Sequence, residues 1–321
     1  MQSFESLSKQ FSEKFNARHF PEQPVTLYNP NEYFLRLGGK RIRPVLCLMG
    51  NELFDEINPD AWHTASAIEL FHNFTLIHDD IMDKAPLRRG MQTVHAKFGE
   101  STAILAGDVM LVKAYDYLNQ ISSSYIHAVL HLFNKTAMEV CEGQQMDMDF
   151  EQINEVRHDD YLKMIELKTS VALAASLQVG SILGGAGERN QNLIYQFGKK
   201  LGIAFQVQDD YLDAFGDPKK FGKQVGGDIL SNKKTFLLIH ALEVASVKNK
   251  TELQKLLRSS DEKKIENVLN IYKEAGVDEW ALQLKNKYLD AALNHLEDIA
   301  VLSKRKEPLR ELAHFLIQRE V

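Results

Sequence analysis

Apolar residues recur at intervals of three and four positions along most of this 321-residue chain. The first such series is Phe4, Leu7, Phe11 and Phe15. This spacing places the four side chains on one face of a helix. No run bounded by turns alternates between apolar and polar residues with a period of two, so the pattern predicts helices and no sheet.

Longer helical patterns follow. Asn58-Pro59-Asp60 is typical of a helix start, and the helix that it opens is predicted to continue to about Lys84, before Pro86. Its middle is apolar on more than one face, which indicates a central helix. Further helices are predicted over 102–121, 125–148, 161–183, 192–215, 234–245 and 281–302.

Three of the eight prolines lie in the stretch 21–33, which predicts a break in the helical pattern there. A second irregular insert, rich in glycine and lysine, is predicted between Gly216 and Asp228 as a mobile loop near a charged ligand. We find no domain boundary. The sequence therefore predicts one all-α domain, residues 1–321, built as a bundle of about ten or more helices.

Composition narrows the classes of function. Hydrophobic residues make up 44% of the chain, which is enough for a large core, and the net charge of −6 argues against general nucleic-acid binding. The polar N-terminal stretch lacks the apolar segment of a secretory signal, and no apolar run is long enough to span a membrane. Cys47 and Cys141 show no metal-ligand spacing. We expect a cytoplasmic protein.

Two aspartate motifs stand out, DDIMD at 79–83 and DDYLD at 209–213. In each, the first and last aspartates are separated by about 40° around a helix, so their carboxylates share a face, and the second aspartate can support them. Like charges in this arrangement repel each other and need a counter-charge. Carboxylate oxygens select Mg²⁺ or Ca²⁺ over zinc, and Mg²⁺ completes its coordination with water and substrate phosphate.

The aspartate motifs have two alternative interpretations. One is a pair of solvated acidic helix ends, which is ordinary for a single DDxxD but accounts for two copies less well. The second is structural calcium, but neither motif has the glycine spacing of an EF-hand loop. The sequence favours a pair of aspartate helices that hold a phosphorylated ligand through Mg²⁺.

Basic residues accompany the acidic motifs. Arg88 and Arg89 follow the first motif, and a basic cluster at 40–43 follows two glycines. Arginine binds phosphate oxygens through two parallel hydrogen bonds, and lysine adds a point charge. Glycines before a helix let backbone N–H groups approach an anion. The other candidate cations are Lys168, Lys223, Lys233 and Lys234.

Each basic residue also has an ordinary structural interpretation. The cluster at 40–43 can be a solvated turn, Lys168 can extend its side chain to solvent, and His72 alone is typical of a core histidine. Together they suggest two anion sites, one bridged by metal and one held directly by lysine and arginine. The pattern predicts an enzyme that binds two phosphorylated substrates at once.

These motifs closely resemble those of the trans-isoprenyl diphosphate synthases, the polyprenyl synthetase family, and they occur in the family's order. GGKRIRP at 38–44 resembles the isopentenyl diphosphate motif. The stretches 69–90 and 205–229 resemble the first and second aspartate-rich motifs. The resemblance implies an all-α isoprenoid synthase fold around a deep central cavity, a homodimer, and Mg²⁺ as cofactor.

The resemblance also implies roles for individual residues. The metal ligands would be Asp79, Asp83 and Asp209, supported by Asp80, Asp210 and Asp213. The allylic diphosphate would be held by Arg88, Lys168, Lys223 and Lys233. Isopentenyl diphosphate would be held by Gly39, Lys40, Arg43, His72 and Arg89. Thr169 and Gln206 would line the reacting centre, and Gln144 and Asp147 would support the site from a neighbouring helix.

The implied reaction is head-to-tail 1′–4 condensation of isopentenyl diphosphate with an allylic diphosphate. Phe74 lies five residues before Asp79, roughly 7.5 Å along a helix axis, and in the family this position often forms the cavity floor. Phe74, with Thr75 next to it, implies a C15–C20 product, with C20 favoured. The alternative is that Phe74 is plain core packing.

Two further functions are open. A terpene cyclase shares the fold and the metal chemistry but needs only one diphosphate site, which leaves the cluster at 40–43 without a role. A non-catalytic subunit that binds prenyl diphosphates is expected to lack at least one aspartate motif, and both are present here. The sequence therefore favours the prenyltransferase.

Overall fold

The computed structural model describes residues 1–153, 155–216, 226–259 and 263–318. In this part of the chain the all-α class is confirmed, with more than ten α-helices. The chain divides into two compact units. The first comprises Met1–Phe133 and Ser176–Gln191, and the second comprises Asn134–Ala175 and Asn192–Val321. A single domain over 1–321 stays a prediction.

The first unit is built from the N-terminal helices and one short hairpin. Its helices are α1 (Phe4–Phe15), α2 (Val25–Arg36), α3 (Ile42–Glu52), α4 (Pro59–Met82), α5 (Val94–Phe98) and α6 (Glu100–Leu118). Its strands are β1 (Leu87–Arg88) and β2 (Met91–Gln92). Three helices contribute residues to both units: α7 (Ser123–Gln152), α9 (Val171–Leu183) and α10 (Glu188–Phe215).

The second unit continues with shorter helices. They are α8 (His158–Ile165), α11 (Gly227–Leu230), α12 (Phe236–Val244), α13 (Val247–Leu256), α14 (Lys264–Glu274), α15 (Val277–Glu297) and α16 (Ser303–Gln318). A π-helical turn, Glu166–Ser170, joins α8 to α9. One core cluster of this unit includes Tyr272 and another includes Tyr161.

Helix α4 confirms the expected start at the Asn-Pro-Asp sequence. The Asn58 side chain accepts a hydrogen bond from the backbone N–H of Asp60 at 3.0 Å, and Pro59 occupies the first turn, where its missing N–H has no intrahelical partner to lose. The helix ends at Met82, two positions before the predicted end. It carries the first aspartate motif on its last turn.

The predicted break at 21–33 is wrong over most of its length, because α2 begins at Val25 and contains Pro30. Proline removes one backbone hydrogen bond from a helix interior. The buried Phe34 and Leu35 hold the helix through tertiary packing, which outweighs this local loss. The helix ends next to the two glycines at 38–39.

The C-terminal part also departs from the sequence pattern. The helix predicted over 281–302 is α15, which ends at Glu297. Ile299 is buried at 2% exposure but lies in the turn that follows. It extends the apolar pattern of the sequence beyond the end of the helix, which is why the predicted helix was too long. The pattern also did not single out the helices α11, α13, α14 and α16 in this part of the chain.

A hairpin follows α4, although no sheet was expected. Its strands pair Leu87 with Gln92 and Arg88 with Met91. Arg89 and Gly90 form the turn with φ values of 55° and 77°, the left-handed conformations that a two-residue hairpin turn requires. The hairpin fixes the positions of the two adjacent arginines, with Arg88 in β1 and Arg89 in the turn.

Glycines let α3 pack closely against α9 inside the first unit. A Cβ atom at Gly180 would lie 2.0 Å from the carbonyl oxygen of Cys47, and one at Gly50 would lie 2.3 Å from that of Leu177. This packing fixes α3, whose first turn carries Arg43. Among the residues that the structure describes, no helix is both long enough and apolar enough to cross a membrane.

Candidate active site

The first aspartate motif has its own arginine. Asp80 is 1% exposed, and Nε of Arg88 donates to both of its carboxylate oxygens at 2.9 Å, with Nη2 2.8 Å from Oδ1. A paired arrangement of this kind satisfies a carboxylate that is buried. The hairpin that follows α4 therefore brings opposite charges together around the buried Asp80, and its supporting role in metal binding stays a prediction.

The first and last aspartates of this motif are more accessible. Asp79 is partly exposed on the last turn of α4, and the exposed Asp83 is its C-terminal cap residue. The charge of Asp79 also reaches the basic cluster. Burial lowers the pKa of Arg43, and the charges of Glu69 and Asp79 act in the opposite direction.

Two arginines and a histidine form a second group in the first unit: Arg43, His72 and Arg89. Nη1 of Arg43 is 3.1 Å from Nε2 of His72. Burial, and then the charges of Arg43 and Arg89, lower the pKa of His72 well below its usual range. The imidazole is thus neutral, and because arginine only donates, Nε2 accepts the bond. Partial burial lowers the pKa of Arg89, and the positive charge of Arg88 lowers it further.

Gly39 has a steric reason to be glycine. A Cβ atom at this position would lie 3.0 Å from Nη2 of Arg89, so a side chain would crowd the guanidinium. Lys40, next to it, is exposed. The residues expected to bind isopentenyl diphosphate therefore lie close together in the first unit.

Arg41 differs from its basic neighbours in the sequence. It is 6% exposed, pairs with the buried carboxylate of Glu69, and donates to the carbonyl oxygen of Leu35 at 3.3 Å. Asn73 also donates to Glu69, at 2.9 Å. Arg41 is thus a structural residue that turns inward, and Glu69, which the sequence did not single out, holds it.

Phe74 is half-buried on α4 and lies among other rings. Its ring centroid is 4.8 Å from that of His78 and 5.9 Å from that of Phe71. Thr75 donates from its hydroxyl to the carbonyl oxygen of His72 at 2.8 Å. Phe74 is less buried than Phe34, which is 0% exposed, and its role in product length stays a prediction.

The second aspartate motif, in the second unit, also has a buried middle aspartate. Asp210 is 3% exposed and accepts from the Tyr161 hydroxyl at 3.0 Å and from Nε2 of Gln206 at 2.9 Å. Burial and the charge of Asp228 raise the pKa of Asp210 to about 7, against the opposing effects of Lys233 and the two donors. Asp209 is partly exposed one position earlier.

Asp213 closes this motif. Its Oδ2 accepts from the backbone N–H of Asp228 at 3.0 Å, and its carbonyl accepts from Gly226 at 2.6 Å. Burial and Asp228 raise the pKa of Asp213. The exposed Lys233 donates its backbone N–H to the carbonyl oxygen of Asp228, which brings a cation beside the carboxylates. Lys223 lies outside the described residues, as does most of the predicted loop.

Lys168 and Thr169 lie on the π-helical turn. Nζ of Lys168 is 2.6 Å from Oδ2 of Asp147 on α7, and the supporting role of Asp147 in the site stays a prediction. A Cβ atom at Gly143 on α7 would lie 2.3 Å from the backbone nitrogen of Lys168, so this glycine lets α7 reach the turn. π-helical turns are frequent at functional sites.

The candidate metal ligands of the two motifs are carboxylates, which are oxygen donors of the kind that Mg²⁺ binds. Within the part of the chain that the structure describes, no cluster of three or more His, Cys, Asp or Glu side chains converges on one point. The partly exposed carboxylates include Asp79 and Asp209. Mg²⁺ binds through one or two carboxylates and keeps water and phosphate oxygens as its remaining ligands, so oxygen donors of this number fit it.

Sequence reasoning missed the residues that hold the site. Glu69, Tyr161 and Asp228 each contact or influence a predicted residue, and Gly143 makes room for another. Tyr161 is 49 positions from Asp210, and no local pattern connects the two. Asp228 could have been found, because it directly follows two glycines in the stretch that resembles the second aspartate-rich motif.

Comparison with known proteins agrees with these motifs. The model of the polyprenyl synthetase family matches residues 24–275. A short chain isoprenyl diphosphate synthase of Methanothermobacter thermautotrophicus is 38% identical over 92% of this chain and 91% of its own. A geranylgeranyl diphosphate synthase of Saccharolobus solfataricus is 36% identical over 99% of both chains.

Solved structures give the same result. The crystal structure of geranylgeranyl pyrophosphate synthetase from Pyrococcus horikoshii Ot3 superposes with a TM-score of 0.92, at 35% identity, over 98% of this chain and 99% of that one. The family match covers most of the chain, and it includes both aspartate motifs and the basic cluster at 40–43. The chain belongs to the polyprenyl synthetase family.

Proposed function

We propose that this protein is a Mg²⁺-dependent short-chain prenyltransferase that condenses isopentenyl diphosphate with an allylic diphosphate. The observation that carries the proposal is the presence of two different anion-binding sets. Both aspartate motifs are suited to metal-bridged diphosphate, and the group of Arg43, His72 and Arg89 is suited to direct binding. The names of the similar synthases support this substrate class.

The direct set would hold isopentenyl diphosphate. Arg43 and Arg89 offer guanidinium groups, which bind phosphate oxygens through two hydrogen bonds. A neutral His72 orients Arg43 by accepting its Nη1–H at 3.1 Å and adds no further charge. Exposed Lys40 supplies a point charge beside Gly39.

The allylic substrate would meet the aspartates, Arg88, Lys168, Lys223 and Lys233. The partly exposed Asp79 and Asp209 would hold Mg²⁺, which would neutralise the diphosphate and make it a better leaving group. Lys168 and Lys233 stabilise the charge that develops on the departing diphosphate. The carbon–oxygen bond of the allylic diphosphate would break first, which leaves an allylic cation and free diphosphate. The double bond of isopentenyl diphosphate would then attack the cation to form the new carbon–carbon bond, and the released diphosphate would take the proton whose loss restores a double bond.

Thr169 and Gln206 would face the reacting carbon. The Gln206 amide donates to Asp210 at 2.9 Å, which leaves its carbonyl oxygen to stabilise positive charge on carbon. The Thr169 hydroxyl supplies a second oxygen. A deep and largely apolar cavity would exclude the water that quenches an allylic cation.

Phe74 would end chain growth, giving C15–C20 products with C20 favoured. Its ring is only partly buried, as expected of a side chain that also borders substrate. Phe74→Ala then lengthens the product, with some loss of stability from the removed aromatic ring.

A homodimer would bring together exposed apolar side chains. On α6, Ile104, Leu105 and Val112 are 42%, 56% and 67% exposed. Several exposed large aliphatic residues on one helix are typical of a protein interface. The occupant that we propose is the same helix of a second copy, as the family resemblance implies, and sedimentation of the purified protein tests it.

The test of the whole proposal is an assay of purified protein with isopentenyl diphosphate, an allylic diphosphate and Mg²⁺. We expect prenyl diphosphates of C15–C20 and no product in EDTA. A cyclic hydrocarbon from the allylic substrate alone would indicate a terpene cyclase. Binding without turnover would indicate a non-catalytic subunit.

A further inference from the structure

His78, the residue before Asp79 on α4, contacts both Phe74 and α6. About 100° of helix rotation separates neighbouring residues, so its ring lies on a different face from the Asp79 carboxylate. Residues four apart share a face, and Phe74 is four positions earlier. The His78 side chain is 21% exposed. His78 therefore lies beside the predicted metal ligand without being part of that motif.

The ring of His78 lies in a seat on α6 made by Ile104, Gly107 and Asp108. A Cβ atom at Gly107 would be 2.3 Å from Nε2 and 2.5 Å from Cδ2 of His78, closer than van der Waals contact allows. Nε2 is 3.2 Å from the Ile104 carbonyl oxygen and 3.8 Å from Oδ1 of Asp108. The seat accommodates this ring only because residue 107 has no side chain.

Phe74 rests on the ring that occupies this seat. The two ring planes meet at 66° with centroids 4.8 Å apart, an edge-to-face contact. Phe71 is a second neighbour, with its ring centroid 5.9 Å from that of Phe74 and 5.2 Å from that of Phe133. The closer of these two rings is that of His78, at 4.8 Å, and this ring also contacts α6.

We propose that His78 is a positioning residue for product length, and that Gly107 is the residue that makes its seat possible. This rests on the proposed function, in which Phe74 ends elongation. With the imidazole in its seat, the Phe74 ring is held at the floor. Without it, the ring can move into the space that the imidazole leaves, and the chain can grow further.

The experiment measures the ratio of products longer than C20 to C20 for three variants. His78→Ala removes the ring, and Gly107→Ala forces the ring from its seat. We expect each to raise the ratio by about 2- to 10-fold, the change that corresponds to losing one aromatic pair. Gly187→Ala is the matched control, because a Cβ atom there would meet no atom within 4 Å, and its ratio should equal that of wild type.

The double variant separates positioning from general damage. Once His78 is alanine, no ring remains for a methyl group at 107 to displace, so the double variant should give the ratio of His78→Ala alone. Independent, additive effects would show that Gly107→Ala acts through helix packing and would overturn its assigned role. Wild-type product ratios in folded and active His78→Ala would overturn the proposal for His78.

Failure of the proposed function has a different result. If wild type makes no prenyl product at all, the assignment of the reaction fails, whatever the variants do. If wild type elongates and the variant ratios stay unchanged, only the role of His78 fails. Circular dichroism checks folding, and if Gly107→Ala does not fold, His78→Ala and a milder His78→Asn still test the proposal.

Discussion

The two aspartate motifs have the same spacing but different surroundings. The middle aspartate of the first, Asp80, faces a guanidinium, since Arg88 donates to both of its oxygens. The middle aspartate of the second, Asp210, faces the neutral donors Tyr161 and Gln206 and is repelled by Asp228. The same residue at the same position of the two motifs therefore has a cationic partner in one and neutral partners in the other.

This difference has a consequence for metal binding. Asp80 has a full counter-charge inside the protein, so the first motif does not need a cation to neutralise its middle carboxylate. Asp210 accepts hydrogen bonds from two neutral side chains, and its pKa of about 7 means that it is partly protonated at neutral pH. A cation nearby favours the ionised form, so the second motif should respond more strongly to pH and to metal.

The largest expected effect tests what the motifs share. Asp79→Ala and Asp209→Ala should each lower kcat by about 10²–10³-fold, the effect typical of losing one preorganised electrostatic group. The fold should survive, because removing one of several like charges relieves repulsion. Steady-state kinetics measures this, with the exposed Asp116→Ala as control. Near-normal turnover in either variant would remove that aspartate from the metal site.

The second prediction sharpens the contrast through pH. The folded-state pKa of Asp210, about 7, lies above the ordinary value of about 4 for an unfolded chain. Between these values the folded state holds a proton that the unfolded state releases, so wild type loses stability as pH rises from about 4 to about 7.

The Asp210→Asn variant has no carboxyl group at this position, so it cannot show this loss of stability as pH rises. In EDTA, its unfolding free energy relative to wild type should therefore rise by about 2–4 kcal/mol between about pH 4 and pH 8, a range set by a shift of roughly two to three pH units. Urea titrations at several pH values measure this difference. A difference that stays constant with pH would mean that Asp210 is not the titrating group.

The third prediction concerns Asp80. Asp80→Asn replaces the buried partner of Arg88, and we expect a loss of about 2 kcal/mol, less than for a fully buried pair because Arg88 can reach water. The double variant with Arg88→Met should recover part of this loss. Thermal melts at neutral pH measure both. If Asp80→Asn and Asp210→Asn shift stability in the same direction, the proposed difference between the two middle aspartates is wrong.

The smallest effect separates the substrates. Arg43→Ala should raise the KM for isopentenyl diphosphate about 10-fold, the size of one charge-assisted hydrogen bond, with little change for the allylic substrate. Lys168→Ala should do the reverse. Initial rates with each substrate varied in turn measure this. If each variant changed the KM of both substrates equally, the two proposed anion sites would not be separate.

Several features followed from the sequence without the structure. Periodic apolar residues indicated the helical class, Asn58-Pro59 marked the start of α4, and the aspartates, arginines and glycines pointed to two diphosphate sites. These signals are local, because helix faces, caps and motif spacing depend on neighbours within a few residues. The helix at Val25–Arg36 was missed for the same reason, since its proline opposes a helix locally and only packing overrides it.

Tertiary structure alone decided which side chains are partners. The Tyr161 hydroxyl reaches Asp210 across 49 positions, and the seat on α6 that holds His78 exists only because Gly107 comes to lie against it. Spacing along a helix fixes which face a carboxylate occupies, but burial and partners set its charge, and both come from distant segments. The sequence by itself thus determined the chemistry that the protein can carry, and the fold determined which side chains pair with the middle aspartate of each motif and which rings lie against Phe74.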